Sequence, residues 1–350
     1  MPALTHTLAV TWSPFVLVAG LLLIGRVAAG EGLFALVGSW CARGPGGARA
    51  SLVVTLLAVA LVTAVLNLDT SVVFMTPVAL HAARRRSTDE PAFLYGTVFM
   101  SNSASLLLVG SNLTNLLVVA DRGGGGSDFA ARTILPWVAC VVTTLLVVLA
   151  WRWRALGAGS GANADAERVP FRAGPGTLGA VAAVVAMLAT RQPALWVLGA
   201  GLVAAAADVV VRRRLELREA LAVTNPVLLG ALFVVASAVG WFARTSGFAA
   251  GALAHRGVVT TAVVAALTTV VINNLPAASF YAAHALAHPF ALLVGLDVGP
   301  NLAVTGALSS LLWRRVAARE GAATSLATFS RVGLVVVVVA GAAATGLLSG

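Results

Sequence analysis

Leu66–Leu80 reads LNLDTSVVFMTPVAL, and the polar cluster Asn67-Leu68-Asp69-Thr70-Ser71 near its start interrupts an apolar run that extends from Leu52 to Ala83. In hydrocarbon a broken helix leaves backbone N–H and C=O groups without partners, so the break survives only where protein or a water-filled cavity surrounds it. We therefore read Leu52–Ala83 as a re-entrant hairpin that returns to the side of the membrane it came from. INNLPA (Ile272–Ala277) interrupts the run Val258–His288 in the same manner and predicts a second hairpin.

Composition identifies the solvent. Of 350 residues, 59% are hydrophobic and 10% charged, at a mean hydropathy of +0.95, and such a chain belongs in a bilayer. Ser51–Leu66, Thr133–Ala150, Leu195–Val211 and Val227–Phe242 each approach the roughly 20 apolar residues that cross about 30 Å of hydrocarbon. One signal peptide or one anchor does not account for so many. The net charge of +10 does not indicate nucleic acid, because all 23 basic residues are arginines scattered over short loops. Cys41 and Cys140 lie in apolar stretches and read as packing residues.

The chain also repeats itself. Ser13-Pro14-Phe15-Val16-Leu17 echoes Asn225-Pro226-Val227-Leu228-Leu229, Leu66-Asn67 matches Ile272-Asn273, and Gly110 in LLLVGSNLTNLL matches Gly306 in LAVTGALSSLLW. Spacings differ only in polar loops, where insertions are tolerated. Threading the chain with Arg84, Arg85 and Arg86 in the cytoplasm leaves only Arg122, Arg132, Arg191, Arg244 and Arg256 outside. That asymmetry is the one expected of arginine-rich inner loops, and it sends the two hairpins in from opposite faces. The expected fold is an all-α polytopic membrane protein with two inverted-topology repeats, each carrying a re-entrant hairpin and a broken transmembrane helix. The first repeat is 1–151 and the second 221–350, separated by a Gly-, Ala- and Arg-rich cytoplasmic linker at 152–176 and a scaffold helix pair at 177–220. No pair equivalent to Leu178–Ala189 and Leu195–Val211 precedes the first repeat, which implies a shortened transporter or a start further upstream.

Four breaks carry the polar chemistry: the two hairpin tips, SNSAS (Ser101–Ser105) with GSNLTN (Gly110–Asn115), and DVGPN (Asp297–Asn301) with Thr305-Gly306. Freed helix N-termini with Ser, Thr and Asn side chains suit a small polar or anionic solute. This selects Asn67, Thr70, Ser103, Ser105, Asn112, Asn115, Asn273, Asn274, Asn301, Thr305 and Gly306 as candidate solute-binding residues. A single cluster of this kind would only promote close helix packing, but four in repeat-related positions point to a site. Asp69 and Asp297 are the acids deep inside apolar segments, each at a break. Lipid burial disfavours their charged form and makes them candidates for a coupling proton or ion. Asp208, four residues before Arg212, reads as an interfacial ion-pair partner. His284 and His288 have the i, i+4 spacing of metal ligands, but no carboxylate or cysteine accompanies them and His288 precedes Pro289 at a predicted helix end, so neither metal nor cofactor is expected. His81 reads as interfacial or packed, with a proton relay as the alternative, and GGGG at 123–126 as a flexible external loop without the lysine of a phosphate loop.

At INNLPA, GLDVGPNLAVTGALSSLLW (Gly295–Trp313), LNLDTSVVFMTPVAL and SASLLLVGSNLTNLL (Ser103–Leu117) the chain resembles the arsenite/antimonite efflux permeases of the ion transporter superfamily, whose relatives carry citrate, dicarboxylates or sodium. That resemblance implies proton-coupled export by alternating access in the cell (inner) membrane, with solute held by Asn67, Asn112, Asn115, Asn273, Asn274 and Gly306 beside Asp69 and Asp297. It also implies a homodimer and leaves room for an ATPase subunit. Asn301 stands where arsenite permeases commonly have a lysine, which keeps a citrate, dicarboxylate or sodium-coupled permease as the alternative. An intramembrane enzyme would need a nucleophile and base in register, and the sequence places none.

Overall fold

The computed structural model describes residues 2–43, 46–119, 125–157, 171–212, 218–219, 224–248 and 251–349. All regular structure among them is helical: α1 (Pro2–Gly30), α2 (Leu33–Arg43), α3 (Ala48–Leu66), α4 (Leu68–Arg85), α5 (Glu90–Ser103), α6 (Leu113–Val119), α7 (Gly126–Arg152), α8 (Pro175–Ala189), α9 (Ala194–Ala207), α10 (Pro226–Ser246), α11 (Val258–Ile272), α12 (Asn274–Ala282), α13 (Pro289–Val298), α14 (Leu308–Arg319) and α15 (Leu326–Leu348). Five of these helices, α1, α3, α7, α10 and α15, are long and apolar enough to cross a bilayer. Their outward faces are apolar too: Leu57 and Leu61 of α3, Leu135 and Leu146 of α7, and Leu334 and Val338 of α15 are all exposed. In water such faces would be costly, whereas hydrocarbon accepts them.

The helices pack in two groups. One gathers α3, α4, α5 and α7 with α11, α13 and α15, and α7 lies along α15. The other is α1 with α8, α9 and α10. Small residues let α1 and α9 approach closely: a Cβ added at Gly20 would stand 2.6 Å from the Val197 carbonyl oxygen, and one at Gly201 2.6 Å from that of Gly20. Glu31 joins α8 to the end of α1. Its carboxylate accepts the Gly176 and Thr177 N–H groups at 2.7 and 2.9 Å and the Thr177 hydroxyl at 2.6 Å, capping the start of α8 with negative charge. Glu31 is only 4% exposed. Glu31→Gln is expected to lose about 2 kcal/mol, the scale of charged hydrogen bonds to a helix N-terminus, and to lower the midpoint of thermal unfolding in detergent. An unchanged midpoint would show that α8 is held without this cap.

Several expectations change against this architecture. Glu31 and Asp208 are buried, at 4% and 3% exposed, so Asp69 and Asp297 are not the only enclosed acids. Asp208 begins a π-helical turn at Asp208–Arg212, and the side chain of Arg212, its expected ion-pair partner, lies outside the described residues. The run from Asn274 stops at Ala282, so Ala283–His288 is not helical, and His284 and His288 share no helix face. His288, expected at a helix end before Pro289, stands at the start of α13. Gly125 and Gly126 of the tetraglycine belong to the start of α7, where the Asp128 carboxylate accepts the Gly125 N–H at 3.0 Å; Gly123 and Gly124 lie outside the described residues. Of the linker at 152–176, residues 158–170 lie outside them as well.

Candidate functional site

Where α3 gives way to α4, and α11 to α12, an asparagine forms the joint. Asn67 (φ +81°) lies between α3 and α4, and Asn273 (φ +72°) between α11 and α12. Positive φ is uncommon outside glycine, and asparagine tolerates it best because its side chain can cap locally. Asn67 Oδ1 accepts the Thr70 N–H at 2.9 Å, Asn273 Oδ1 accepts that of Leu275 at 3.3 Å, and each asparagine's own N–H donates back to the preceding helix, to Thr63 or Thr269. Asn67 Nδ2, Thr63 Oγ1 and Thr70 Oγ1 are buried without hydrogen-bond partners among the described residues.

The long helices break in a more elaborate way. After α5 the chain passes through a 3-10 turn at Val109–Ser111 before α6 begins. Its freed carbonyls find donors on neighbouring helices: Trp137 Nε1 donates to Ala104 at 2.9 Å, and Asn115 Nδ2 to Ser105 and Leu108 at 2.8 and 3.2 Å. Asn115 thus turns its amide onto the break itself. Asn115→Ala is expected to destabilise by about 1–3 kcal/mol, because the buried Ser105 carbonyl loses its donor while that of Leu108 keeps only the Ser111 N–H. Unfolding midpoints should fall while the solute concentration for half-maximal uptake stays the same; the reverse outcome would make Asn115 a solute ligand.

The second break runs through 3-10 turns at Gly299–Leu302 and Val304–Gly306 between α13 and α14. It crosses the first. Asn102 Nδ2 donates to Asn301 Oδ1 at 2.8 Å, Asn301 Nδ2 donates to Ser103 Oγ at 3.2 Å, and Ser309 Oγ donates to Asn102 Oδ1 at 3.2 Å. Asp297 Oδ1 accepts Asn112 Nδ2 at 2.9 Å and the Thr114 hydroxyl at 2.7 Å. Asn112 Nδ2 also reaches Ser105 Oγ at 3.2 Å. Asp297 is 1% exposed, and its Oδ2 has no hydrogen-bond partner among the described residues. An acid oxygen left unsatisfied inside a closed amide and hydroxyl network is costly unless it takes a proton or an ion.

Of the residues selected from sequence, the crossing gathers Ser103, Ser105, Asn112, Asn301 and Asp297. Asn67 and Thr70 stay at the first tip, which is tied to the crossing helix by a Ser111 Oγ bond to the Ala64 carbonyl at 2.9 Å. Asn273 Nδ2 donates to the Thr305 carbonyl at 3.0 Å, Asn274 is buried in the first turn of α12, and Gly306 is buried against Pro300. The Thr305 side chain itself is exposed. Asp69 is only partly buried, and among the described residues no hydrogen bond joins it to the network around Asp297. Asn102, Thr114 and Trp137 were not selected; the first two lie inside polar clusters quoted above, and nothing local distinguishes them.

A cavity of about 800 Å³ reaches Val109 and Leu116 at the first break. Its polar lining includes Ser13, Asp128, Arg132, Thr190, Arg191 and Gln192.

Both the fold and the sequence have known counterparts. The crystal structure of the Alcanivorax borkumensis YdaH transporter superposes with a TM-score of 0.60 at 15% identity, covering 99% of this chain and 86% of that one, so the fold is shared. An uncharacterised transporter of Mycobacterium bovis is 26% identical over 368 residues, covering 96% of this chain and 85% of the relative. The 46 kDa membrane protein of Mycobacterium leprae is 24% identical over 377 residues, with the same coverage of both chains. A family model described as citrate transporter matches residues 2–305, nearly the whole length over which both breaks and both joints are laid out. The chain is a multi-pass membrane transporter, and it belongs to the citrate transporter family.

Proposed function

We propose that this chain is a secondary active transporter working by alternating access, in which Asp297 binds and releases the coupling proton at the crossing of the two broken helices. The observation that carries this reading is the buried, unpartnered Asp297 Oδ2. Asp69, in the first turn of α4, is the second protonatable group, and a sodium ion in place of the proton is the alternative coupling partner. Two inverted repeats, 1–151 and 221–350, build the site, with 152–176 as linker and 177–220 as scaffold. The matched asparagine joints support this, as does a reciprocal packing: α6 of the first half lies against α12 of the second, and α14 of the second against α4 of the first. The re-entrant hairpins are α3–α4 and α11–α12, and the protein sits in the cell (inner) membrane with its arginine-rich loops in the cytoplasm.

The solute is a small carboxylate. Arg132 and Arg191 on the wall of the cavity that reaches the first break favour an anion, as does the family. Efflux of arsenite or antimonite is a second reading, favoured by a crossing network of amides and hydroxyls without an arginine among the described residues, which suits a neutral oxo-acid. Purified single chain, reconstituted in vesicles under an imposed pH gradient, tests both readings and the need for an ATPase subunit. Citrate uptake abolished by a protonophore supports the first reading and arsenite uptake the second. Uptake driven by a sodium gradient alone moves the coupling ion to sodium. Uptake of any of these solutes that ignores both gradients sinks secondary active transport.

A further inference from the structure

A groove of about 580 Å³ runs along α11, between that helix, α12 and the segment at 251–256. One wall is the stripe Thr260, Val264, Thr268 and Ile272, set at four-residue spacing and about 18 Å long. Phe248, Phe280 and Tyr281 face it. The two hydroxyls midway are spent on each other, Thr268 Oγ1 and Tyr281 Oη lying 2.8 Å apart, so the middle of the groove offers a guest mainly apolar surface. Arg256 stands at the end away from Ile272, exposed, with one weak bond at 3.4 Å to the Ala252 carbonyl of its own turn. The next stripe on α11, Val259, Val263, Leu267 and Val271, is exposed, so the groove lies beside surface suited to hydrocarbon.

An apolar slot with a single cation at one end has the shape and charge of an amphiphile. We propose that the groove holds one acyl chain of an anionic lipid whose phosphate sits on Arg256. Its length compares with the roughly 15 Å of hydrocarbon in one leaflet, and a guanidinium pairs with phosphate oxygens in bidentate fashion. A small carboxylate would find no second donor in the slot's apolar middle. The site lies apart from the Asp297 network and bears on it only through Ile272, next to the Asn273 joint, where an occupant touching both α11 and α12 holds the two as one body.

Native mass spectrometry of the full chain, titrated in mild detergent with phosphatidylglycerol or phosphatidylcholine, tests this without any transported solute. Wild type is expected to retain one phosphatidylglycerol at about tenfold lower concentration than phosphatidylcholine, the scale of one charge-assisted contact. Arg256→Gln should erase that preference. Val264→Trp should fill the slot and remove the retained lipid of both kinds, with circular dichroism confirming that each variant is folded. Equal retention of the two lipids by wild type, or retention unchanged in both variants, overturns the proposal. So does a dimer as the dominant species that Val264→Trp dissociates, since the groove would then belong to a second copy of the chain.

Discussion

Asp297→Asn is expected to abolish gradient-driven uptake while exchange of solute between the two sides continues. Asparagine keeps the oxygen that accepts from Asn112 and Thr114, so the crossing of the broken helices survives. What it loses is the capacity to take up and give off a proton. A transporter with its coupling group neutralised can still carry solute down its own gradient, but a proton gradient no longer drives it. The new amide nitrogen lands where Oδ2 has no partner and adds a buried donor, which costs about 1–3 kcal/mol and should show as a modest fall in unfolding midpoint. Uptake and counterflow are measured in the same vesicles. Wild-type uptake in a folded variant would remove Asp297 from coupling; loss of both would make it a structural or solute-binding group instead.

Gly333→Ala is the second large effect, and its cause is steric. Gly333 on α15 faces the second break so closely that a Cβ would stand 1.7 Å from the Asn301 carbonyl oxygen and 2.8 Å from its carbon. Backbone cannot swing aside as a flexible side chain can, so either α15 or the turn at Gly299–Leu302 must shift. The turn carries Asn301, and its displacement pulls apart the Asn102 pair. Overpacking of this kind costs about 3 kcal/mol, a fall on the order of 5 °C in unfolding midpoint, and uptake should fall with it. Gly341→Ala on the same helix is the control: nothing lies within 4 Å of its added Cβ, so it should be neutral or gain up to about 1 kcal/mol from helix propensity. Equal midpoints for the two variants would mean that α15 is free to move against the break.

The positions of the breaks were legible because polar residues inside apolar runs are expensive and therefore informative. Asn67 and Asn273 were read as interruptions from one chain, and each is a joint with positive φ. Which polar residues face one another was not legible. Asn102 and Asn115 look alike in sequence, yet one pairs across the molecule with Asn301 and the other props up its own broken turn. That difference is set by helix crossing, which no local pattern carries. Glu31 illustrates the same limit: in a short polar loop it resembles a solvated acid, and only the docking of α8 makes it a buried cap. The i, i+4 spacing of His284 and His288 gives no shared face for a simpler reason, since the helix stops at Ala282 before either residue.

The Asn102–Asn301 pair joins residues 199 positions apart in the chain. Ribosomes add roughly 5–20 residues per second, so Asn102 emerges on the order of 10–40 s before its partner has been made. Through that interval the first half sits in the bilayer with its broken turn complete but its outward-facing amides unanswered. It has to be sheltered by water, lipid headgroups or an insertion factor until the second half arrives. A ribosome stalled midway should therefore leave a fragment that is inserted yet never locked, the kind of species that membrane proteases remove.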